Sequence, residues 1–182
     1  MAIIQDAASG QTAVVNSSHR LLVGSVSRSE DRQSNINGDY YSAFFQVTPA
    51  GANDYFFYLR NDGVEDITVT DFRMSSTVTT RLLIHRVVGT PVFAGANTTT
   101  ITSRNLGSSK SPLVTARDDT DITGLTSEGI MFFEDMSAID TLFDLRLSST
   151  IIIPQGQAIA MQRVGATGLI TIDVSMSKVD IA

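Results

Sequence analysis

The sequence predicts an all-β protein, an antiparallel β-sandwich of jelly-roll type with an extended N-terminal arm. Three observations predict it. Period-two alternation of apolar and polar residues recurs from Leu21 to Ile181 while helical periods hardly occur. Gly, Asn, Pro and Ser clusters ("SNINGD", "TPAGAND", "NLGSSKSP") punctuate the chain at short intervals. Ser and Thr together fill 40 positions, many of them Thr, which strands favour. With 182 residues and 42% apolar content the chain suits one core, so residues 19–182 are expected to form a single β-sandwich domain behind an arm of residues 1–18.

Taken in order, the arm is polar apart from Ile3, Ile4, Val14 and Val15, four apolar side chains that a purely solvated tail has no use for, and these are the candidate interface residues. "HRLLVGSV" (19–26) and "YYSAFFQV" (40–47) read as strands. "YFFYLRNDGVEDITVTDFRM" (55–74) reads as a hairpin turning at Asn61-Asp62-Gly63. Its apolar phase changes from odd (Ile67, Val69) to even (Phe72, Met74), and one extra residue near Thr70-Asp71 would absorb the change as a bulge. "TRLLIHRVV" (80–88) is another strand. Residues 89–122 are poorly patterned and rich in Thr, Asn and Ser, as a long loop would be. "GIMFFE" (129–134), "LFDLRL" (142–147), "TIII" and "QAIAMQR" follow, and the one helical candidate is "EDMSAIDTLF", where Met136, Ile139, Leu142 and Phe143 share a face. Near the C-terminus Ile170, Ile172, Val174 and Met176 alternate with Thr171, Asp173, Ser175 and Ser177, as in a half-buried strand. In "TIIIPQGQAIAMQR", Pro154 cannot donate to a ladder and so ends a strand, while Gly156 supplies the positive φ of a turn's third position; the corner is architectural.

Charge and composition narrow the partners. A net charge of −6 with only two lysines leaves no basic stripe for phosphates, so nucleic acid is not an expected partner. No apolar run reaches the ~20 residues of a membrane helix, and the first residues lack the pattern of a signal peptide, so synthesis in the cytoplasm and no membrane partner are expected. Cysteine is absent, which removes disulfides and thiolate metal sites.

Candidate chemistry is sparse. His19 and His85 lie in separate strands without a partner motif; His85 is expected on a sheet face or core edge. Asp119, Asp121 and Thr123 before Gly124 have the opening spacing of a calcium loop, but Glu128 falls two residues short of the closing position, held by Ile130, so Asp118 to Asp121 is expected to be a solvated acidic turn. No catalytic residue, cofactor or metal is expected. The aromatics Tyr40, Tyr41, Phe44, Phe45, Tyr55, Phe56, Phe57 and Tyr58 must point to both faces of their strands. Burial is the expected use of the outer set, and sugar stacking the alternative.

Three stretches, "YFFYLRNDGVEDITVTDFRM", "HRVVGTPVFAGANTTTITSRNLGSSKSP" and "TIIIPQGQAIAMQRVGATGLITIDVSM", together resemble a group of tailed-bacteriophage virion proteins of the capsid decoration, cement or head-fibre type. The shared pattern is a hairpin with an Asn-rich turn, a long Asn/Ser/Gly-rich middle loop and an IPxG corner before the last long strand, and it spans residues 55–181. The resemblance implies a jelly-roll-like domain and a homo-oligomer, a trimer being favoured. It also implies attachment to the major capsid protein or other virion subunits on the outside of a phage head, with no catalytic residues to carry over. A tail, fibre or receptor-binding domain that holds carbohydrate is the alternative it leaves open.

Overall fold

The structure is a computed structural model that describes the backbone of residues 2–5, 12–15, 21–22, 30–95, 97–137 and 139–179, and side chains within 34–144 and 151–178 of that set. The chain divides into two units, Met1–Glu30 and Asp31–Ala182.

In the first unit β1 (Ala2–Gln5), β2 (Thr12–Val15) and β3 (Leu21–Leu22) form a three-stranded antiparallel sheet in the order β1-β2-β3. The second unit opens within α1 (Glu30–Asn37), an eight-residue helix where the sequence shows mostly polar punctuation. Its end is a hydrogen-bonded cap in which Gly38 N–H donates to Asn35 O (3.0 Å) and Asp39 N–H to Ser34 O (2.8 Å). No apolar periodicity marks α1, which explains why a period-based reading passes over it.

The sandwich comprises β4 (Tyr40–Val47), β5 (Tyr55–Asn61), β6 (Asp66–Ser76), β7 (Thr80–Phe93), β8 (Ile101–Ser103), β9 (Val114–Met136), β10 (Phe143–Ile153), β11 (Ala158–Gly165) and β12 (Ile170–Val179). One sheet has the order β10-β6-β12-β4-β8; the other closes into a ring, β11-β5-β9-β7. All pairings are antiparallel, and consecutive strands from β4 to β12 alternate strictly between the two sheets. This interleaving is the jelly-roll arrangement of two-sheet β proteins.

Strict alternation corrects one expectation. The segment 55–74 is no hairpin: β5 pairs with β11 and β9, β6 pairs with β12 and β10, and the Asn61-Asp62-Gly63 turn carries the chain from one sheet to the other. The Pro154–Gln157 corner likewise crosses from β10 to β11, with Gln157 N–H donating to Pro154 O (3.0 Å) and Gly156 at φ +75°. The bulge falls where the phase change places it: Asp71 faces Ser175 and Val69 faces Met176, so Thr70 is unopposed and Ile67, Val69, Phe72 and Met74 all reach the core. The helical expectation for "EDMSAIDTLF" is not met. Met136 ends β9, a turn passes through Asp140, and β10 starts at Phe143; Met136 is buried in the core, whereas Ile139 and Leu142 are exposed, so the four residues never share one buried face.

The main core lies between the sheets. Phe45 of β4 stacks on Phe57 of β5 with centroids 4.5 Å apart, one sheet against the other, surrounded by Tyr41, Leu59, Phe72, Met74, Ile84, Met161, Ile172 and Val174. A second cluster sits on the opposite side of β5 and β11: Tyr58, Val87, Ile122, Ala158 and Ala160, with Tyr55, Phe93 and Leu125 against it. It exists because β9 runs beside β5 with its first residues and beside β7 with the rest, rolling the sheet over its own outer face. The roll needs two close backbone approaches. A Cβ on Gly89 would stand 2.4 Å from Gly124 O, and one on Gly124 would stand 2.4 Å from Thr90 O.

Two buried polar side chains fasten the chain crossings. Asn61, 1% exposed, donates through Nδ2 to Glu65 O (2.8 Å) and Ile153 O (2.9 Å), and its Oδ1 accepts from Gly63 N–H (2.9 Å). Its backbone carbonyl accepts from Gly156 N–H (2.7 Å) and its own N–H donates to Gln157 O (3.1 Å). One residue thus joins the β5–β6 and β10–β11 crossings. Truncating it strands three backbone groups, the buried Ile153 O and Gly63 N–H and the partly buried Glu65 O, at ~1–3 kcal/mol for a buried unsatisfied group. Asn61→Ala should therefore lower stability by about 2–4 kcal/mol and the melting temperature by roughly 5–15 °C. Asn61→Asp, which sets a carboxylate against two carbonyls, should cost at least as much; thermal denaturation by circular dichroism checks both.

Candidate interaction surface and polar clusters

At the other end of the sandwich the corresponding residue is Arg163, fully buried and in phase with the core residues Ile159 and Met161. Its guanidinium donates to Gly51 O and to Ala166 O (2.7 Å), tying the β4–β5 crossing to the β11–β12 crossing. Arg163 O and N bond Asn53 N–H and Asp54 O, and Asp54 in turn accepts from Gly51 N–H. Burial pulls the Arg163 pKa below its usual value, and Asp54 partly opposes this. A charged residue repeating in step with Ile159 and Met161 was the available sequence signal for this position.

Asp118 and Asp119 correct the expectation of a solvated turn. Both lie within β9, 8% and 2% exposed, and both are anchors for the long connection between β7 and β9. Asp118 Oδ1 accepts from Thr99 Oγ1 (2.7 Å); Asp119 Oδ2 accepts from Gly95 N–H (2.7 Å) and its Oδ1 from Thr120 N–H (2.6 Å). Asp121 is half-buried, and burial, then the neighbouring Asp54 and Asp119, raises its pKa. Glu128 is engaged by Arg86 at 2.8 Å. Among the described residues no three His, Cys, Asp or Glu side chains form a metal-holding group. The connection is held further along its length: Arg104 Nη2 donates to Ser175 Oγ (2.6 Å), Asn105 Nδ2 to the carbonyls of Asn35 and Ile36 (3.1 and 3.2 Å), and Lys110 pairs with Asp39 (2.8 Å). The poorly patterned segment 89–122 is therefore part strand and part tethered loop, because β7 continues to Phe93, β8 occupies 101–103 and β9 begins at Val114.

His85 is 5% exposed inside the rolled sheet, with Nδ1 2.8 Å from Ser127 Oγ and its ring edge-on to Tyr55 at 5.3 Å. Ser127 is a partner the sequence did not single out, because cross-strand neighbours 42 residues apart leave no local pattern. His19 lies outside the described residues. Of the clustered aromatics only Phe44 is exposed (60%); the rest are buried or half-buried, so burial is how the fold uses them.

Ile3, Ile4, Val14 and Val15 stand on β1 and β2, where Ile3 faces Val14, Ile4 faces Ala13 and Ala2 faces Val15; their side chains lie outside the described residues. On the sandwich, four exposed apolar side chains stand where a strand segment has a single partner. Ile130, Met131 and Phe133 project from the half of β9 that pairs only with β7, and Ile152 from β10, which pairs only with β6. Met131, Ile152 and Pro154 line an open groove of about 420 Å3, with Arg86, Gln155 and Gln157 at its polar side.

Removal of the Asp119 carboxylate should loosen the 94–113 connection without unfolding the sandwich. Asp119→Ala is expected to cost about 1–3 kcal/mol and to speed limited proteolysis within that connection. Addition of calcium or EDTA should leave the melting temperature of the native protein unchanged.

Comparison of this chain with protein-family models, with curated proteins and with solved structures finds no match.

Proposed function

We propose that this chain is a non-enzymatic structural protein of a virion, a capsid decoration or cement subunit that binds the outer surface of a phage head and stabilises it. The observation that carries the reading is the apolar edge: Ile130, Met131, Phe133 and Ile152, each 46% or more exposed on strand segments that have a single partner, beside an open groove. Edge strands with exposed apolar side chains are a liability on a solitary protein and an asset on one that is covered by a neighbour. The jelly-roll architecture and the virion-protein resemblance point the same way, although a fold alone fixes no function.

In this reading the major capsid protein or another virion subunit covers the edge, and the β1–β2 segment with Ile3, Ile4, Val14 and Val15 adds a second contact in a homo-oligomer, a trimer being favoured. Each well-buried apolar side chain contributes on the order of 1.5–3 kcal/mol before ordering costs. Repetition around a symmetric assembly turns such contributions into firm attachment that exists only in the assembled particle. A tail, fibre or receptor-binding role is the second reading. It is favoured by a groove of about 330 Å3 whose lining mixes Thr98, Thr100, Ser111 and Arg117 with Ile101 and Val114, the mixture of polar and apolar groups that a sugar ring presents in return.

Two variants test the proposal, a deletion of residues 2–18 and Phe133→Ser with Ile152→Ser. Each is expected to keep the melting transition of the sandwich while reducing co-sedimentation with phage heads that lack the protein by tenfold or more. Full binding by both would refute the decoration reading, and a specific hit on a glycan array would favour the receptor-binding one.

A further inference from the structure

We propose that His85 is a pH-sensitive latch: its neutral imidazole holds the limb formed by β9 residues 123–131 against β7 and over the outer face of β5 and β11, and its protonation releases that limb. The geometry begins with the ladder. Between β7 and β9 the pairing slips at Ile84/His85 and again at Arg86/Val87, leaving Met131 and Glu128 unopposed on either side of the histidine. Pairing of β7 with β9 is thus irregular where the ring sits, while β7 keeps an unbroken ladder to β11 through His85 and Ala160, and side chains supply the closure of β9. From β5 the ring meets Tyr55, from β9 Ser127, and from β11 Gln162, all neutral at pH 7. The flanking charges, Arg86 and Glu128, neutralise each other at 2.8 Å.

Ser127 Oγ, bonded to Nδ1, also accepts from Gly129 N–H at 3.1 Å, so the histidine fixes the bulged segment 127–129 as well as its own strand. Nε2 is buried and makes no hydrogen bond. Whichever nitrogen carries the proton in the neutral ring, the imidazolium carries one on both, and of the side chains around it only Gln162 favours that form, while burial away from water opposes it. Burial accordingly holds the His85 pKa below the usual value, the opposing pull of Gln162 being the smaller influence. The linkage has one sign. An exposed imidazole titrates near ~6.5, so the closed limb keeps its full stability above that pH and loses it progressively as pH falls toward the lower value of the closed state. Opening would uncover Tyr58, Val87, Ile122, Ala158 and Ala160, an apolar surface that neutral pH conceals.

Hydrogen–deuterium exchange of amides 123–131 between pH 7.5 and 5.0, corrected for the intrinsic pH dependence of exchange, tests this. The open population is expected to rise by up to about tenfold per pH unit below ~6.5 in the native protein, while amides of β12 stay protected. In His85→Gln, which stays neutral, the slope should vanish. A native protein with no such rise, or a His85→Gln variant with the same slope, would overturn the latch. Should that variant fold poorly, the imidazole titration of His85, assigned by NMR against His19→Gln, decides: a midpoint below the ordinary histidine value is expected, and an ordinary midpoint contradicts the proposal.

Discussion

A chain that changes sheets at every connection gathers its reversals at the two ends of the sandwich, and each reversal brings backbone N–H and C=O groups under cover without a ladder to receive them. The fold resolves this with one side chain at each end. Asn61 spans two crossings at one end with both donors and its acceptor in use, and Arg163 spans two at the other. The two residues are alike in geometry and unlike in chemistry. An amide is neutral and can both give and accept, which suits a site offering two carbonyls and one N–H. A guanidinium only donates, which suits a site of carbonyls, and its buried charge is partly offset by Asp54.

The rolled second sheet follows from the same topology. Since β9 must travel from the edge beside β5 to the edge beside β7, it curls across the outer face and buries what would otherwise be a solvent side. That is why Ala158 and Ala160 are as buried as Ile159 and Met161, and why aromatics on successive positions of β5 are all covered. Curling leaves the second half of β9 with one partner and the apolar side chains Ile130, Met131 and Phe133 in solvent, so the surface proposed for assembly is a consequence of how the ring is closed.

Much of this was legible in the sequence where the physics is local. The alternation of β12, the limits of β4, the bulge at Thr70 and the turn at Gly156 each depend on neighbours within a few residues, and each was readable. Pairing between distant strands was not. Asn61-Asp62-Gly63 carries a hairpin signature, yet the turn residues encode only a reversal; which sheet receives the next strand depends on partners about a hundred residues away. Asp118 and Asp119 read as a solvated turn because the calcium-loop spacing there lacks its closing Glu, and their partners Thr99 and Gly95 sit in a loop whose path the pattern does not reveal. The Ser127–His85 contact was hidden for the same reason, and α1 because it has no apolar face.

The central claim, that crossings pinned by Asn61 and Arg163 govern the whole sandwich, is tested most directly by native-state hydrogen exchange at the amides of Gly63, Gly156 and Asn53. The account predicts that these loop amides exchange only through global unfolding, with the same free energy and denaturant dependence as the central strand β12. Exchange by local opening, several kcal/mol easier than for β12 and insensitive to denaturant, would contradict it.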